Sequence, residues 1–223
     1  MLRAVLFDCD GVLLDSESIY LSCVSKYLRT LGREAGIDEL AYLVGADIRR
    51  ITEQLQRDYD LGDYEPQTLI DGQRALFNKE FYSQTLEPMD GLIPFLQKLR
   101  AAGLKTAVAS SSDQRYVEYV LDQLGIRDYF DVFIGREAAG RSKPFPDLYE
   151  EAMRRLGVKP EEAVVLEDSS NGIRAGLDAG CYVLAYKGAK VKQDTAGAHR
   201  TVYGYGEIDL EELEREVSER KGL

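Results

Sequence analysis

The sequence predicts an α/β fold: a Rossmann-like, mainly parallel sheet with helices on both faces, carrying an inserted small all-α domain. Three observations lead there. Residues 4–7 form an apolar run, Ala-Val-Leu-Phe, with good strand formers, and it stops abruptly at Asp8-Cys9-Asp10-Gly11. From Asp90 onward, short apolar runs alternate with helical periodicity, the pattern of a parallel sheet wound by helical crossovers. Between these regions only helical patterns occur. The expected division is a core domain from residues 1–15 and 87–223 and a small inserted helical domain at 16–86.

After Asp15, the residues Tyr20, Val24, Tyr27, Leu28 and Leu31 recur at three- and four-residue spacing up to Gly32, with Ser16 as an N-cap candidate. Further helices are predicted at 38–44, 47–59 and 66–83, separated by Gly45 and by Leu61-Gly62-Asp63. In the core, Leu92, Phe95, Leu96 and Leu99 mark a helix closed by Gly103, followed by a strand at 104–109. Tyr116, Val117, Val120, Leu121 and Leu124 mark the next helix, closed by Gly125. A strand at 131–135, a helix at 146–156 begun by Pro146 and ended by Gly157, and a strand at 163–166 follow. A helix at 170–179, a strand at 182–186 and a charged helix from Asp209 complete the series.

With 223 residues, 44% of them hydrophobic, the chain can bury a full core. A formal net charge of −11 opposes wrapping a nucleic-acid backbone, so no nucleic-acid partner is expected. Cys9, Cys23 and Cys181 are odd in number and widely spaced, which supports neither a disulfide framework nor a thiolate zinc site and fits a reducing cytoplasm. No leader-like or membrane-spanning stretch is visible, so a cytoplasmic protein without a membrane partner is expected. The single histidine, His199, argues against a serine–histidine triad or a multi-histidine metal site.

Chemistry gathers at the predicted strand ends. They carry Asp8 and Asp10, then Ser110, Ser111 and Ser112, then Ser142-Lys143-Pro144, then Glu167-Asp168-Ser169. Ligands of open α/β sheets bind at the carboxyl ends of the strands, so these groups are expected to converge. Asp8 and Asp10 lie close enough to repel and call for a cation, a shared proton or both. Carboxylates from two strands make a hard oxygen site suited to Mg²⁺, while hydroxyls, Lys143 and helix N-terminal amides offer donors to an anion. Each group has a plainer reading. Asp-x-Asp-Gly also suits a turn or a calcium loop, although Val12-Leu13-Leu14 weakens the latter. The serines and Asp168 could simply cap helices, and Lys143 could be a solvated charge beside a stiff proline turn.

The sequence resembles the haloacid dehalogenase-like (HAD) hydrolases, in the helical-cap subgroup that contains sugar phosphatases and β-phosphoglucomutase. The resemblance is carried by Asp8-Cys9-Asp10-Gly11-Val12 with Asp15-Ser16-Glu17, by Val108-Ala109-Ser110, by Ser142-Lys143-Pro144 with Pro146-Asp147, and by Leu166-Glu167-Asp168-Ser169-Ser170-Asn171-Gly172. It implies that Asp8 attacks phosphorus and becomes an aspartyl-phosphate, and that Asp10 protonates the leaving oxygen and then deprotonates water. Ser110 and Lys143 would hold the phosphoryl oxygens, with Ser111 beside them. Asp8, the backbone carbonyl of Asp10 and Asp168 would bind Mg²⁺, with Glu167 a direct ligand or one shell out. Tyr20, residues 45–49 with Arg49, and Arg74 are the cap positions expected to read the substrate.

The resemblance also sets the rivals. The dehalogenase branch lacks the second aspartate of the first motif, which is present here as Asp10. A phosphosugar mutase of the β-phosphoglucomutase type requires a cap histidine, and that position falls at Tyr20. The expectation is therefore a Mg²⁺-dependent phosphatase of a small phosphomonoester, a sugar or polyol phosphate. The mutase is the alternative, and a non-catalytic binding protein stands behind both. A monomer is expected, with a dimer as the other option.

Overall fold

Every residue of the opening apolar run is buried in a computed structural model that describes residues 1–46, 48–190 and 193–220. The chain divides into two compact units, one of Met1–Asp15 with Leu86–Leu223 and one of Ser16–Thr85. Among the described residues the first unit contains six strands: β1 (Ala4–Phe7), β2 (Lys105–Ala109), β3 (Val132–Ile134), β4 (Ala163–Glu167), β5 (Tyr182–Tyr186) and β6 (Arg200–Val202). They form one parallel sheet in the order β3-β2-β1-β4-β5-β6. The order reverses direction around β1, which pairs with β2 on one side and β4 on the other, and the crevice at such a reversal is where open α/β sheets bind ligands.

Burial follows the period of two. Ala4, Leu6, Ala107, Ala109, Val165 and Val183 join one core cluster with Leu148, Tyr149 and Ile173. On the opposite face the ring of Phe7 meets Phe95 and Phe130 edge-on, with centroids 6.2 and 5.6 Å apart. A fully buried side chain of this size contributes roughly 1.5–3 kcal/mol, so the run that ends in Asp8 is anchored on both faces. Among the described residues, the α-helices of this unit that follow the inserted unit in sequence are those at Leu92–Ala101, Gln114–Gln123, Asp147–Leu156, Ser170–Asp178 and Leu210–Glu219.

Among its described residues the second unit has helices and no strand. It comprises α1 (Ser16–Thr30), a 3₁₀ helix at Asp38–Leu43, α2 (Ile48–Asp58) and α3 (Pro66–Phe81). In chain order the core helices above are then α4 to α8. Asp47, the predicted first residue of the second long cap helix, lies outside the described residues. Inside this unit Gln73 is buried and donates to Thr52 Oγ1 at 3.0 Å and to the Leu69 carbonyl at 3.2 Å. Its amide oxygen accepts from the Tyr20 hydroxyl at 3.4 Å. Among the described residues no helix is long and apolar enough to cross a membrane.

One strand was not foreseen. β6 is three residues long, with only Val202 buried, so it offers neither an apolar run nor a full alternation. Its pairing with β5, Leu184 against Arg200 through Tyr186 against Val202, makes it the edge of the sheet. His199, just before it, accepts from the Val183 N–H through Nδ1 at 3.0 Å and stacks on Tyr182. Burial is the main cause that lowers the pKa of His199 below the usual imidazole value.

Candidate active site

The strand ends bring four segments together. Asp8 follows β1 directly and its N–H donates to the Leu166 carbonyl of β4 at 3.0 Å, so its carboxylate starts from the sheet rather than from a loop. Past it the chain turns back: Leu13 N–H bonds the Cys9 carbonyl and Gly11 N–H bonds that of Leu14, each within 2.9 Å. Gly11 has φ +72, and a Cβ there would overlap the Asp168 carboxylate. The position therefore requires glycine for its backbone and for the room it leaves to Asp168.

Lys143, on the segment after β3, sends its ammonium to Asp8 Oδ1 and, at 2.6 Å, to Glu167 Oε1. Its side chain is 5% exposed and that of Glu167 is fully buried. The Lys143–Pro144 peptide is cis. Glu167 is saturated by protein donors: Lys143 and the Tyr149 hydroxyl (2.8 Å) on Oε1, and on Oε2 the N–H groups of Asp168 and Ser169 and the Ser169 hydroxyl. Ser169 also caps α7 by accepting from Gly172 N–H at 3.1 Å. Helix α7 can start this close because residue 172 is glycine; a Cβ there would collide with the Glu167 carboxylate.

Asp8, Glu167 and Asp168 form a three-carboxylate cluster whose ligand atoms all lie within 4.8 Å of one another. Three carboxylates against one ammonium leave negative charge uncompensated in a buried place, and hard oxygen donors in that arrangement fit a divalent cation such as Mg²⁺. The electrostatics agree. Burial pushes the Asp8 carboxyl up to about 7, opposed by Lys143 and reinforced by Glu167 and Asp10. Lys143 is held protonated by Asp8 and Glu167 against the burial that opposes its charge. Burial raises the Cys9 thiol well above its usual range, which suits a packing residue and not a nucleophile.

The Asp10 carboxylate stands apart from that cluster. Its Oδ2 accepts from the Ser112 hydroxyl at 3.0 Å and its Oδ1 from the Tyr116 hydroxyl at 2.6 Å. Ser110 is buried, and its hydroxyl oxygen accepts from Ser112 N–H at 3.0 Å. Ser111 is exposed and accepts from the Ser142 hydroxyl at 2.8 Å, which ties the β2 end to the segment carrying Lys143. Gln193 donates to Asp168 Oδ2 at 3.2 Å. Three of these partners were not singled out from sequence. Tyr116 and Tyr149 read as helix positions, and Gln193 lies in a stretch without periodicity. The usable signal for Tyr116 was its place three residues after the N-cap Asp113, in the first turn beyond a strand end.

Tyr20 and Arg49 belong to the helical unit. Tyr20 is half-buried on α1, and burial pushes its hydroxyl above the usual phenol range; Arg49 is exposed at the start of α2. Arg74 is exposed on α3.

A sheet with this order, bearing aspartates just past its first strand and an acidic pair at the end of its fourth, defines a hydrolase class. The chain belongs to the haloacid dehalogenase-like hydrolases, whose family model matches residues 5–186. It is a phosphoric monoester hydrolase of the HAD-like phosphatase type. A phosphorylated carbohydrates phosphatase of Thermotoga maritima is 29% identical over 183 residues, covering 80% of this chain and 82% of the relative. A HAD-family hydrolase from Deinococcus radiodurans, solved with bound phosphate and sodium, superposes with a TM-score of 0.84 at 30% identity, covering 97% of each chain. A candidate β-phosphoglucomutase from Thermotoga maritima superposes with a TM-score of 0.78 at 26% identity, covering 96% of this chain and 99% of that one.

Proposed function

We propose that this enzyme is a Mg²⁺-dependent phosphatase that hydrolyses a sugar or polyol phosphate through an aspartyl-phosphate at Asp8. The observation that carries the proposal is the ammonium of Lys143 shared between Asp8 and Glu167 beside the Asp168 carboxylate. A carboxylate approaching a phosphate dianion is repelled, and a fixed cation at the attacking group offsets that repulsion before bonds change. Asp8 and Asp168 would hold Mg²⁺ with the Asp10 carbonyl, and Glu167, saturated by protein donors, would act one shell out. Bound there, Mg²⁺ supplies the remaining positive charge for the phosphoryl oxygens.

The chain's own groups divide the work. Ser110, whose oxygen accepts from Ser112 N–H, has its O–H to donate to a phosphoryl oxygen, with Ser111 and Lys143 as further donors. Asp10 gives its proton to the leaving oxygen as the bond from Asp8 to phosphorus forms and the ester P–O bond breaks. It then takes a proton from the water that attacks phosphorus, which releases phosphate and restores the Asp8 carboxylate. Tyr20 and Arg49 are the positions proposed to select the group that carries the phosphate; alanine at either should reorder the substrate ranking.

The test is phosphate release from a panel of hexose and polyol phosphates, with Mg²⁺ or with chelator, for the wild type, Asp8→Asn and Asp10→Asn. Release that needs metal and Asp8, and that falls ~10² or more in Asp10→Asn, supports the proposal. Release unaffected by Asp8→Asn overturns it. A phosphosugar mutase is the second reading, favoured by the structural likeness to a candidate β-phosphoglucomutase. Against it stands Tyr20, a phenol hydrogen-bonded to Gln73 where that chemistry uses a histidine. Conversion of β-glucose 1-phosphate to glucose 6-phosphate without phosphate release would select the mutase.

A further inference from the structure

We propose that Tyr116 is a positioning residue for the general acid, holding the Asp10 carboxyl in its working orientation together with Ser112. This rests on Asp10 being the acid of the phosphatase reaction. The phenol donates to Asp10 Oδ1 at 2.6 Å and the Ser112 hydroxyl to Oδ2 at 3.0 Å, so both oxygens of one carboxylate are taken by one short segment after β2. An aspartate side chain has two soft torsions, and two contacts on opposite oxygens fix both.

The platform beneath Tyr116 is itself tied down. Asp113 caps α5 by accepting from Tyr116 N–H at 2.9 Å. Gln114 N–H donates to Glu137 at 3.0 Å, the Gln114 side chain accepts from Gly135 N–H at 2.8 Å, and the Ser112 carbonyl accepts from Arg136 N–H at 2.9 Å. The segment 112–114 that leads into α5 is thus pinned to residues 135–137, just past β3, by three bonds besides the cap. The same segment orients Ser110 through Ser112 N–H. One rigid piece of chain therefore aims the phosphate-binding hydroxyl and the acid together, and relative placement within a fraction of an ångström is what such chemistry demands.

The partner type matters. Asp10 must exist in turn as acid and as base. A hydroxyl can donate to a carboxylate and accept from a carboxylic acid, so Tyr116 and Ser112 can stay in contact with either form. A guanidinium or ammonium in their place could only donate and would bind the acid less well than the base. Lys143, which can only donate, is bonded instead to Asp8 and Glu167. No proton passes through Tyr116; its hydroxyl keeps its own hydrogen throughout.

The experiment compares kcat/KM for p-nitrophenyl phosphate, whose leaving group departs without protonation, with kcat/KM for phenyl phosphate, whose leaving group needs the acid. Wild type, Asp8→Asn, Asp10→Asn, Tyr116→Phe and Ser112→Ala are measured with Mg²⁺, each with its melting temperature. Tyr116→Phe keeps the ring and is expected to lose about tenfold on phenyl phosphate and under about threefold on p-nitrophenyl phosphate, a fraction of the ~10²–10⁴ a general acid supplies. Ser112→Ala should show the same selectivity with a smaller loss. Equal losses on both substrates, or none, in Tyr116→Phe overturn the positioning role, because a merely structural change does not sort leaving groups. If Asp10→Asn is selective and Tyr116→Phe is not, only the role of Tyr116 fails. If Asp10→Asn itself shows no selectivity while Asp8→Asn is inactive, the assignment of the acid fails and the positioning role fails with it.

Discussion

Lys143 and Glu167 form a buried ion pair, Nζ to Oε1 at 2.6 Å, in which the carboxylate is fully enclosed and the ammonium also reaches Asp8. Removing one partner of a buried pair leaves the other charge without compensation. Glu167→Leu should therefore destabilise the fold by about 3–5 kcal/mol, read from urea unfolding midpoints at constant m. A loss below about 1 kcal/mol would mean that Lys143 is satisfied by Asp8 alone.

Tyr149 has its hydroxyl on the same Glu167 oxygen at 2.8 Å and its ring 4.8 Å from the Lys143 ammonium. Tyr149→Phe keeps the ring contact and removes one donor to a buried carboxylate. The expected cost is about 1–3 kcal/mol by denaturant unfolding, with Mg²⁺-dependent turnover retained. Abolished turnover would move the phenol into the reaction itself.

Asp8 gives a pH signature with a definite sign. Its folded value is raised to about 7 by burial, from an ordinary 3.8, so between those values the folded chain holds a proton that the unfolded chain has lost. Metal-free stability should fall as pH rises through that window, by up to about 1.4 kcal/mol per pH unit from this group. Mg²⁺ favours the ionised form and should flatten or reverse the slope, with a gain of about 2.7 kcal/mol at a hundredfold excess over its dissociation constant. Unfolding midpoints from pH 4 to 7, with Mg²⁺ and with chelator, check both statements. The metal-free slope should be absent in Asp8→Asn, and its persistence there would assign it to another group.

Gly172 tests how tightly the acidic pair is built into the start of α7. A methyl at this position runs into the Glu167 carboxylate, so Gly172→Ala must displace either the helix or the acid. Overpacking of this kind costs about 1–3 kcal/mol, and the displacement of Glu167 should lower kcat together with stability. A variant with unchanged melting temperature and turnover would show that the helix start yields without disturbing the site.

Much of this architecture can be read from the chain because strand ends are loud signals. An apolar run that stops at a carboxylate, a serine or an acidic pair marks at once where the strand lies and what stands at its carboxyl edge, as at Phe7–Asp8, Ala109–Ser110 and Leu166–Glu167. The silent features are of another kind. β6 has one buried residue in three and exists because β5 offers an open edge. Tyr116 is concealed by its own ring, which satisfies the helical pattern whatever its hydroxyl does, and the distance that matters spans 106 residues. Gln193 reaches Asp168 from a connection whose course no local pattern encodes. Residue type predicts the donors and acceptors available, whereas only the folded path says which of them meet.

The position of β1 at the middle of the sheet sets a timetable for synthesis. Val5 is made well before its two neighbours across the sheet, Thr106 and Val164, the latter 159 residues further along. At about 5–20 residues per second, some 8–32 s separate the emergence of β1 from that of the strand that closes its second edge. Throughout that interval a fully apolar strand is without one of its native neighbours. The nascent chain is therefore most exposed to misassociation, and most in need of a holding chaperone, before residue 164 has left the ribosome.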